Sequence, residues 1–215
     1  MGAQVGSLTV ACVLRSGGAY HAGHVEGLRR QVAHFMPSAR FACLSDVDVD
    51  CERLPLESGW PGWWSKVELF RHFKGRTLYL DLDTVIVADP APLVTGEFLM
   101  IRNWRDRDLL AGGVMSWSGD YSHITDAFEP VADDVMRRYV TCEQWGDQAF
   151  IAEQAGAVRT FPVGAILSYR YQLSRRPRPD APPPPGARIV CFNGTHLPWR
   201  GPDWARQWWP DEVAA

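Results

Sequence analysis

The chain has 215 residues, enough for one large domain with a substantial core. Its composition, 46% hydrophobic and 22% charged, is that of an ordinary globular protein. The net charge of −3 and the scatter of its basic residues argue against a nucleic-acid partner.

In chain order, "LTVACVL" (Leu8 to Leu14) is a continuous apolar run, expected of a strand buried on both faces. It is too short for a membrane span and lacks the preceding basic region of a signal peptide. "RSGGAY" makes a glycine turn that lets backbone approach a nucleotide, with Tyr20 placed to stack on a base. Val25, Leu28, Val32 and Phe35 carry helical spacing. "ARFACLS" is a second strand, and Asp46 follows it, where an acidic residue often meets a ribose; a solvated loop is the plain alternative. His21 and His24 are spaced for a metal on a helix, but no third ligand is near, so an exposed helix start is the expectation.

"CERLPL" reads as a short third strand and "GWWSKVELFRHF" as a helix from about Trp63. "RTLYLDLDTVIV" (76–87) reads as the next strand, so the first ninety residues alternate strand and helix. That alternation implies an α/β fold, a mostly parallel sheet flanked by helices. "EFLMIRN" and "GGVMSW" are further strands. The stretch 118–140 is helical on either side of Pro130, "GDQAFIAEQA" is a short helix, and "AILSYRY" is a late strand. Residues 174–187 are Pro-rich and expected to form an exposed, partly mobile loop. "RIVCF" returns to the sheet, and the tail 200–215 carries a short amphipathic helix. No internal repeat and no second domain are evident. The five cysteines, odd in number and without a Cys-x-x-Cys pair, point to free thiols in a reducing, cytoplasmic compartment.

The carboxylates Asp81 and Asp83 carry the chemistry. Two apart in a strand, they face one way and repel unless a cation joins them. Of four Asp-x-Asp pairs in the chain, this one stands apart through its setting at the C-terminal end of an apolar strand, where open α/β sheets place their ligands. An all-oxygen pair suits a hard cation, Mn²⁺ or Mg²⁺, that bridges to a diphosphate. Only two lysines occur in the chain, and one of them, Lys66, lies on the helix before this strand.

"LYLDLDTVI" fits the pattern of haloacid-dehalogenase-type phosphatases, in which Asp81 would be the nucleophile. The chain as a whole resembles more closely the GT-A glycosyltransferases of the glycogenin and bacterial lipopolysaccharide galactosyltransferase group. "GWWSKVELFR…GRTLYLDLDTVIVADPAPL" is similar to that group's donor-site core, "AGGVMSW" to its N-[SA]-G-V-M strand, "WGDQAFI" to its D-Q-x-x-[FL] helix start, and "IVCFNGTHLPW" to its H-F-x-G-x-x-K-P-W end. The resemblance implies a single GT-A-like domain that moves a sugar from a nucleoside diphosphate-sugar, UDP-linked, to an acceptor hydroxyl with retention of configuration. It implies metal on Asp81 and Asp83, a donor contact from Lys66 and Gly113, and Asp147 and Gln148 at the reaction centre, where helix capping is the plain reading of Asp147.

Three departures stand out. Ala111 replaces the group's Asn, Cys191 its metal-binding His, and Leu197 its Lys. A thiolate is a poor partner for a hard cation, which makes His196 the alternative third ligand. Gly194 keeps the glycine of the terminal motif. Among ten tryptophans, Trp64 and Trp199 are the ones expected at the donor site, the others closing the core. A non-catalytic nucleotide-sugar binder is the third reading, and the acceptor has no signature, since acceptor loops vary most.

Overall fold

A computed structural model describes residues 7–140 and 146–210. Strand β1 (Thr9–Leu14) takes up six residues of the apolar run Leu8–Leu14, and it is central because both its faces are covered. On one side it pairs in parallel with β2 (Arg40–Ser45), which pairs in parallel with the edge strand β3 (Glu52–Pro55). On the other side it pairs in parallel with β4 (Thr77–Leu80). Beyond β4 lie β7 (Leu110–Trp117), antiparallel to it, then β6 (Phe98–Arg102) and β8 (Val158–Thr160), giving the order β3-β2-β1-β4-β7-β6-β8. The expected parallel sheet is therefore present with an antiparallel insertion, and β8, in "VRT", was not foreseen.

Helix α1 (Ala22–Phe35) packs Val25, Leu28 and Val32 against Val10, Cys12, Leu78 and Leu80 on one face of the sheet. The other face, carrying Ala11, Tyr79, Met115 and Trp117, is covered by α2 (Leu69–His72), α3 (Ser122–Phe128) and α5 (Gly146–Ala155). Helix α4 (Ala132–Arg138) follows α3 beyond Pro130, as the sequence implies. Residues Gly62–Glu68 wind as a 3-10 helix ahead of α2.

Two expectations are corrected. "RTLYLDLDTVIV" is not one strand: β4 stops at Leu80, the chain turns through Asp81–Asp83, and β5 (Thr84–Ile86) joins a second sheet, β5-β10-β9. The returning strand β10 (Ile189–Cys191) belongs to that small sheet, between β5 and β9 (Ile166–Ser168). "AILSYRY" is a strand only as far as Ser168, after which Tyr169–Leu173 coil into a π-helical turn. The small sheet packs Val85, Leu167 and Val190 against Phe192, Trp199 and Trp209. Residues 174–187 contain neither helix nor strand. In the tail only α6 (Asp203–Arg206) is helical among the described residues, and residues 211–213 of the predicted helix lie outside them. Cys12, Cys43, Cys51 and Cys191 are free thiols. No described helix is long and apolar enough to cross a membrane.

Candidate functional site

The site forms where β4 runs out. Side chains two apart share a face of a strand, so Asp81, the first residue past β4, projects on the side of Tyr79 rather than of Leu80. The Tyr79 hydroxyl donates to Asp81 Oδ1 at 2.5 Å. The Asp81 amide donates to the Gly113 carbonyl at 2.9 Å, so β7 of the large sheet fixes this backbone. The Asp83 carbonyl instead accepts from Phe192 N at 3.0 Å, which ties it to the end of β10 in the small sheet. The carboxylate pair thus spans the seam between two sheets.

A 3-10 helix has three residues per turn, so residues i and i+3 eclipse. In Gly62–Glu68 this stacks Trp63 with Lys66 on one face and Trp64 with Val67 on the other. The first face lines a cavity of about 450 Å³; the second is buried, with Trp64 stacked on Phe128 at 5.3 Å. Trp64, expected at the donor site, is turned into the core, and Trp63, three before Lys66, is the tryptophan on the wall. The β1–α1 loop also lines the cavity, with Arg15, Gly18 and Tyr20, as do Tyr79, Asp81 and Leu82.

Lys66 Nζ lies 2.9 Å from Asp81 Oδ1 and 3.6 Å from Asp147 Oδ2. Burial alone pulls its ammonium down, but Asp147 and Asp81 hold it above its usual range, so it stays charged. Asp83 Oδ2 accepts from the Tyr20 hydroxyl at 3.2 Å. Burial, then repulsion from Asp81, pushes the Asp83 carboxyl up to about 7 against the pull of Lys66. Burial likewise pushes Asp147 up to about 6 despite Lys66. Asp147 is in the first turn of α5 and its Oδ2 has no hydrogen-bond partner among the described residues. The neighbouring Gln148 accepts from Gly112 N at 3.1 Å through Oε1, which sets its amide against β7. Gly113 lies close beneath the carboxylate: a Cβ there would come 3.3 Å from Asp81 Oδ2, a tight contact.

Asp81 and Asp83 are the residues here that could hold a hard divalent cation. Asp83 is a half-buried carboxylate whose ionisation is opposed by its neighbour Asp81, the condition that a cation relieves. Cys191, close enough to feel both aspartates, is buried, and burial followed by those charges raises its thiol far above the usual range. It stays protonated and leaves the donor set all oxygen. His196 is the remaining nitrogen; its Nδ1 is buried without a hydrogen-bond partner among the described residues, and its ring packs on Tyr169. Asp81, Asp83 and His196 are not drawn within 4.8 Å of one another. Among the described residues only Glu57, Glu68 and His72 are that close. In that trio Glu68 is already engaged, by the amides of Glu57 at 2.6 Å and Ser58 at 3.0 Å, which makes it a buckle for the loop before the 3-10 helix.

The other predicted residues take supporting places. Both Asp46 oxygens accept from Ser16, from its amide at 2.8 Å and its hydroxyl, with Arg15 at 3.5 Å, so Asp46 braces the glycine turn. Trp199 is buried, its ring 4.2 Å from His24 and 6.0 Å from Tyr20; it backs Tyr20 instead of facing the cavity. His21 is an exposed N-cap as expected, but His24 is buried and closes a capping box by accepting from His21 N at 2.9 Å. Gly194 has φ +70°, and a Cβ there would strike Arg170 Nη1. Tyr79 was missed by sequence reasoning, although its place two residues before Asp81 is the signal that a strand offers.

No protein-family model and no curated protein matches the sequence. Solved structures do match. The glycosyltransferase GlyE of Streptococcus pneumoniae TIGR4 superposes with a TM-score of 0.71 at 12% identity over 96% of this chain, which spans 60% of that one. The galactosyltransferase LgtC, solved with donor and acceptor sugar analogs, gives 0.62 at 14% identity, covering 96% of this chain and 95% of LgtC. The bifunctional glycosyltransferase WbbM gives 0.55 at 10% identity over 90% of this chain and 47% of its own. The fold is that of the GT-A glycosyltransferases.

Proposed function

We propose that the protein is a glycosyltransferase that moves a sugar from a nucleoside diphosphate-sugar, UDP-linked, to an acceptor hydroxyl. The observation that carries this reading is the Asp81–Asp83 pair at the mouth of β4, with Lys66 paired to Asp81 and Asp81 lining a cavity of about 450 Å³. That volume falls within the usual range for small-ligand sites.

Asp81 and Asp83 would hold Mn²⁺ or Mg²⁺, with His196 as a third ligand. Such a cation, when bound, neutralises charge on the diphosphate leaving group. Tyr20 and the Gly17–Gly18 turn, braced by Asp46, receive the nucleoside. Lys66 directs its ammonium to the diphosphate end of the donor. In the transfer, the acceptor oxygen bonds to the anomeric carbon as the bond from that carbon to the diphosphate oxygen breaks. The hydroxyl proton leaves with the diphosphate. Asp147, buried and anionic beside Lys66, steadies positive charge on the sugar ring, and Gln148 orients the sugar from its seat on Gly112. We read the configuration as retained.

The phosphatase reading is not favoured. Asp81 Oδ1 is held by the Tyr79 hydroxyl and the Lys66 ammonium, an arrangement that quiets a nucleophile.

A thermal-shift screen of nucleoside diphosphates and their sugars, with and without Mn²⁺, tests the proposal. A folded-state ligand at one hundred times its Kd adds about 2.7 kcal/mol of stability. Uridine diphosphate and its sugars are expected to raise the melting temperature only with Mn²⁺ present, and Asp83→Ala to abolish the rise. An equal shift in that variant would remove the metal assignment.

A further inference from the structure

Trp63 is the part of the cavity wall that the donor reading leaves without a task. Its indole is 56% exposed, while Trp64 beside it is buried. A single exposed apolar ring is ordinary on a protein surface, but this one lines a cavity, where it offers a flat apolar face to a ligand. Its position is definite. A Cβ on Gly146 would come 2.9 Å from Trp63 Nε1, so the indole lies against the first residue of α5. Asp147 and Gln148 follow directly. Trp63 therefore stands at the reaction-centre end of the cavity, whereas the ring neighbours of Tyr20 are His24 and Trp199.

Asp147, the residue after Gly146, carries a second unmet demand. The Asp147 side chain is only 8% exposed and its Oδ2 lacks a hydrogen-bond donor among the described residues, with the Lys66 ammonium 3.6 Å away. Buried acceptors in folded proteins are almost always satisfied, so an orphan of this kind points to a ligand. A flat apolar surface beside a buried acceptor matches a pyranose, which has an apolar C–H face and hydroxyl donors at its edge. The base of the donor is not the occupant, because it lies at the far end of the donor from the reacting carbon.

We propose that Trp63 is the platform on which a pyranose ring of the acceptor stacks, with a hydroxyl donated to Asp147. The acceptor is then a glycan or glycoside rather than a peptide or a simple alcohol. This rests on the glycosyltransferase reading above and names its acceptor class.

Saturation-transfer NMR tests it, with methyl glucoside, galactoside and mannoside, lactose, cellobiose, maltose and a serine-containing peptide as probes, in uridine diphosphate and Mn²⁺. At least one sugar is expected to receive saturation on the C–H groups of one ring face. Trp63→Ala is expected to weaken that sugar at least tenfold and Trp63→Tyr by less than threefold. The melting temperature of each variant should stay near that of the parent, because the ring is mostly exposed. If no sugar binds, if the alanine variant binds as the parent does, or if the peptide alone receives saturation, the platform is wrong. Sugar binding that depends on Trp63 in a protein with no affinity for nucleoside diphosphates supports the platform and overturns the donor reading.

Discussion

Lys66 and Asp81 meet across the junction of the 3-10 helix and β4, Nζ lying 2.9 Å from Oδ1 and 3.2 Å from Oδ2. The same ammonium is 3.6 Å from Asp147, so one cation serves carboxylates on two separate elements. Removing one partner of a buried pair leaves the other charge uncompensated, at a cost of about 3–5 kcal/mol. Lys66→Ala is expected to lower stability by roughly 2–4 kcal/mol, the lower end allowing for protonation of Asp147. Urea unfolding at pH 7 measures it. An unchanged midpoint would mean that the pair contributes nothing.

Asp83 behaves in the opposite way. Its folded-state carboxyl is raised to about 7 by burial and by Asp81, well above its usual range. A raised carboxyl stabilises the fold most at low pH, and that contribution is lost as pH climbs from about 4 to about 7. Asp83→Asn, which cannot ionise, should therefore gain on the parent across this window, by up to about 2 kcal/mol at neutral pH without metal. Difference unfolding curves at pH 4.5, 6 and 7.5 report the trend. A gap that does not widen with pH contradicts it.

His24 gives an independent acid signal. Burial, then the neighbouring His21, lowers its imidazole to about 4. A histidine depressed in the folded state contributes stability that is full above about 6.5 and disappears as pH falls through about 4. The loss is expected to be on the order of 1–2 kcal/mol, absent in His24→Gln. Long-range ¹H–¹⁵N spectra should show the His24 ring neutral at pH 5; a protonated ring there would refute this.

Gly27 faces the tail. A Cβ on this residue of α1 would fall 2.5 Å from the indole of Trp209. Alanine is the better helix former by about 1 kcal/mol. Overpacking a filled contact costs about 1–3 kcal/mol. Gly27→Ala is therefore expected to destabilise, with Trp209 displaced and its fluorescence shifted to the red. A rise in melting temperature would show that the tail yields freely.

Much of this was legible in the chain because the signals are local. The apolar run Leu8–Leu14 gave a buried strand, and the carboxylates after Leu78-Tyr79-Leu80 fell at a strand end, where β4 stops. What stayed hidden depends on partners far away in sequence. Leu80, Leu82, Val85 and Ile86 read as continuous apolar strand, and the break appears only because Gly113 and Phe192 bind the backbone on either side of Leu82. By contrast, Trp64 lies in the core and Trp63 on the cavity wall because Trp63, three before Lys66, shares its face in a 3-10 or an α-helix alike, a relation that the spacing itself carries. Trp199 went to the small sheet, an assembly that no stretch of its own sequence announces.

Asp81 is anchored by one sheet and Asp83 by the other. The gap between their oxygens is therefore a gauge of how two slabs are seated, not a fixed property of a strand. A shift of the smaller slab alters that gap. On the proposed function, such a shift would change cation affinity with the acids themselves untouched.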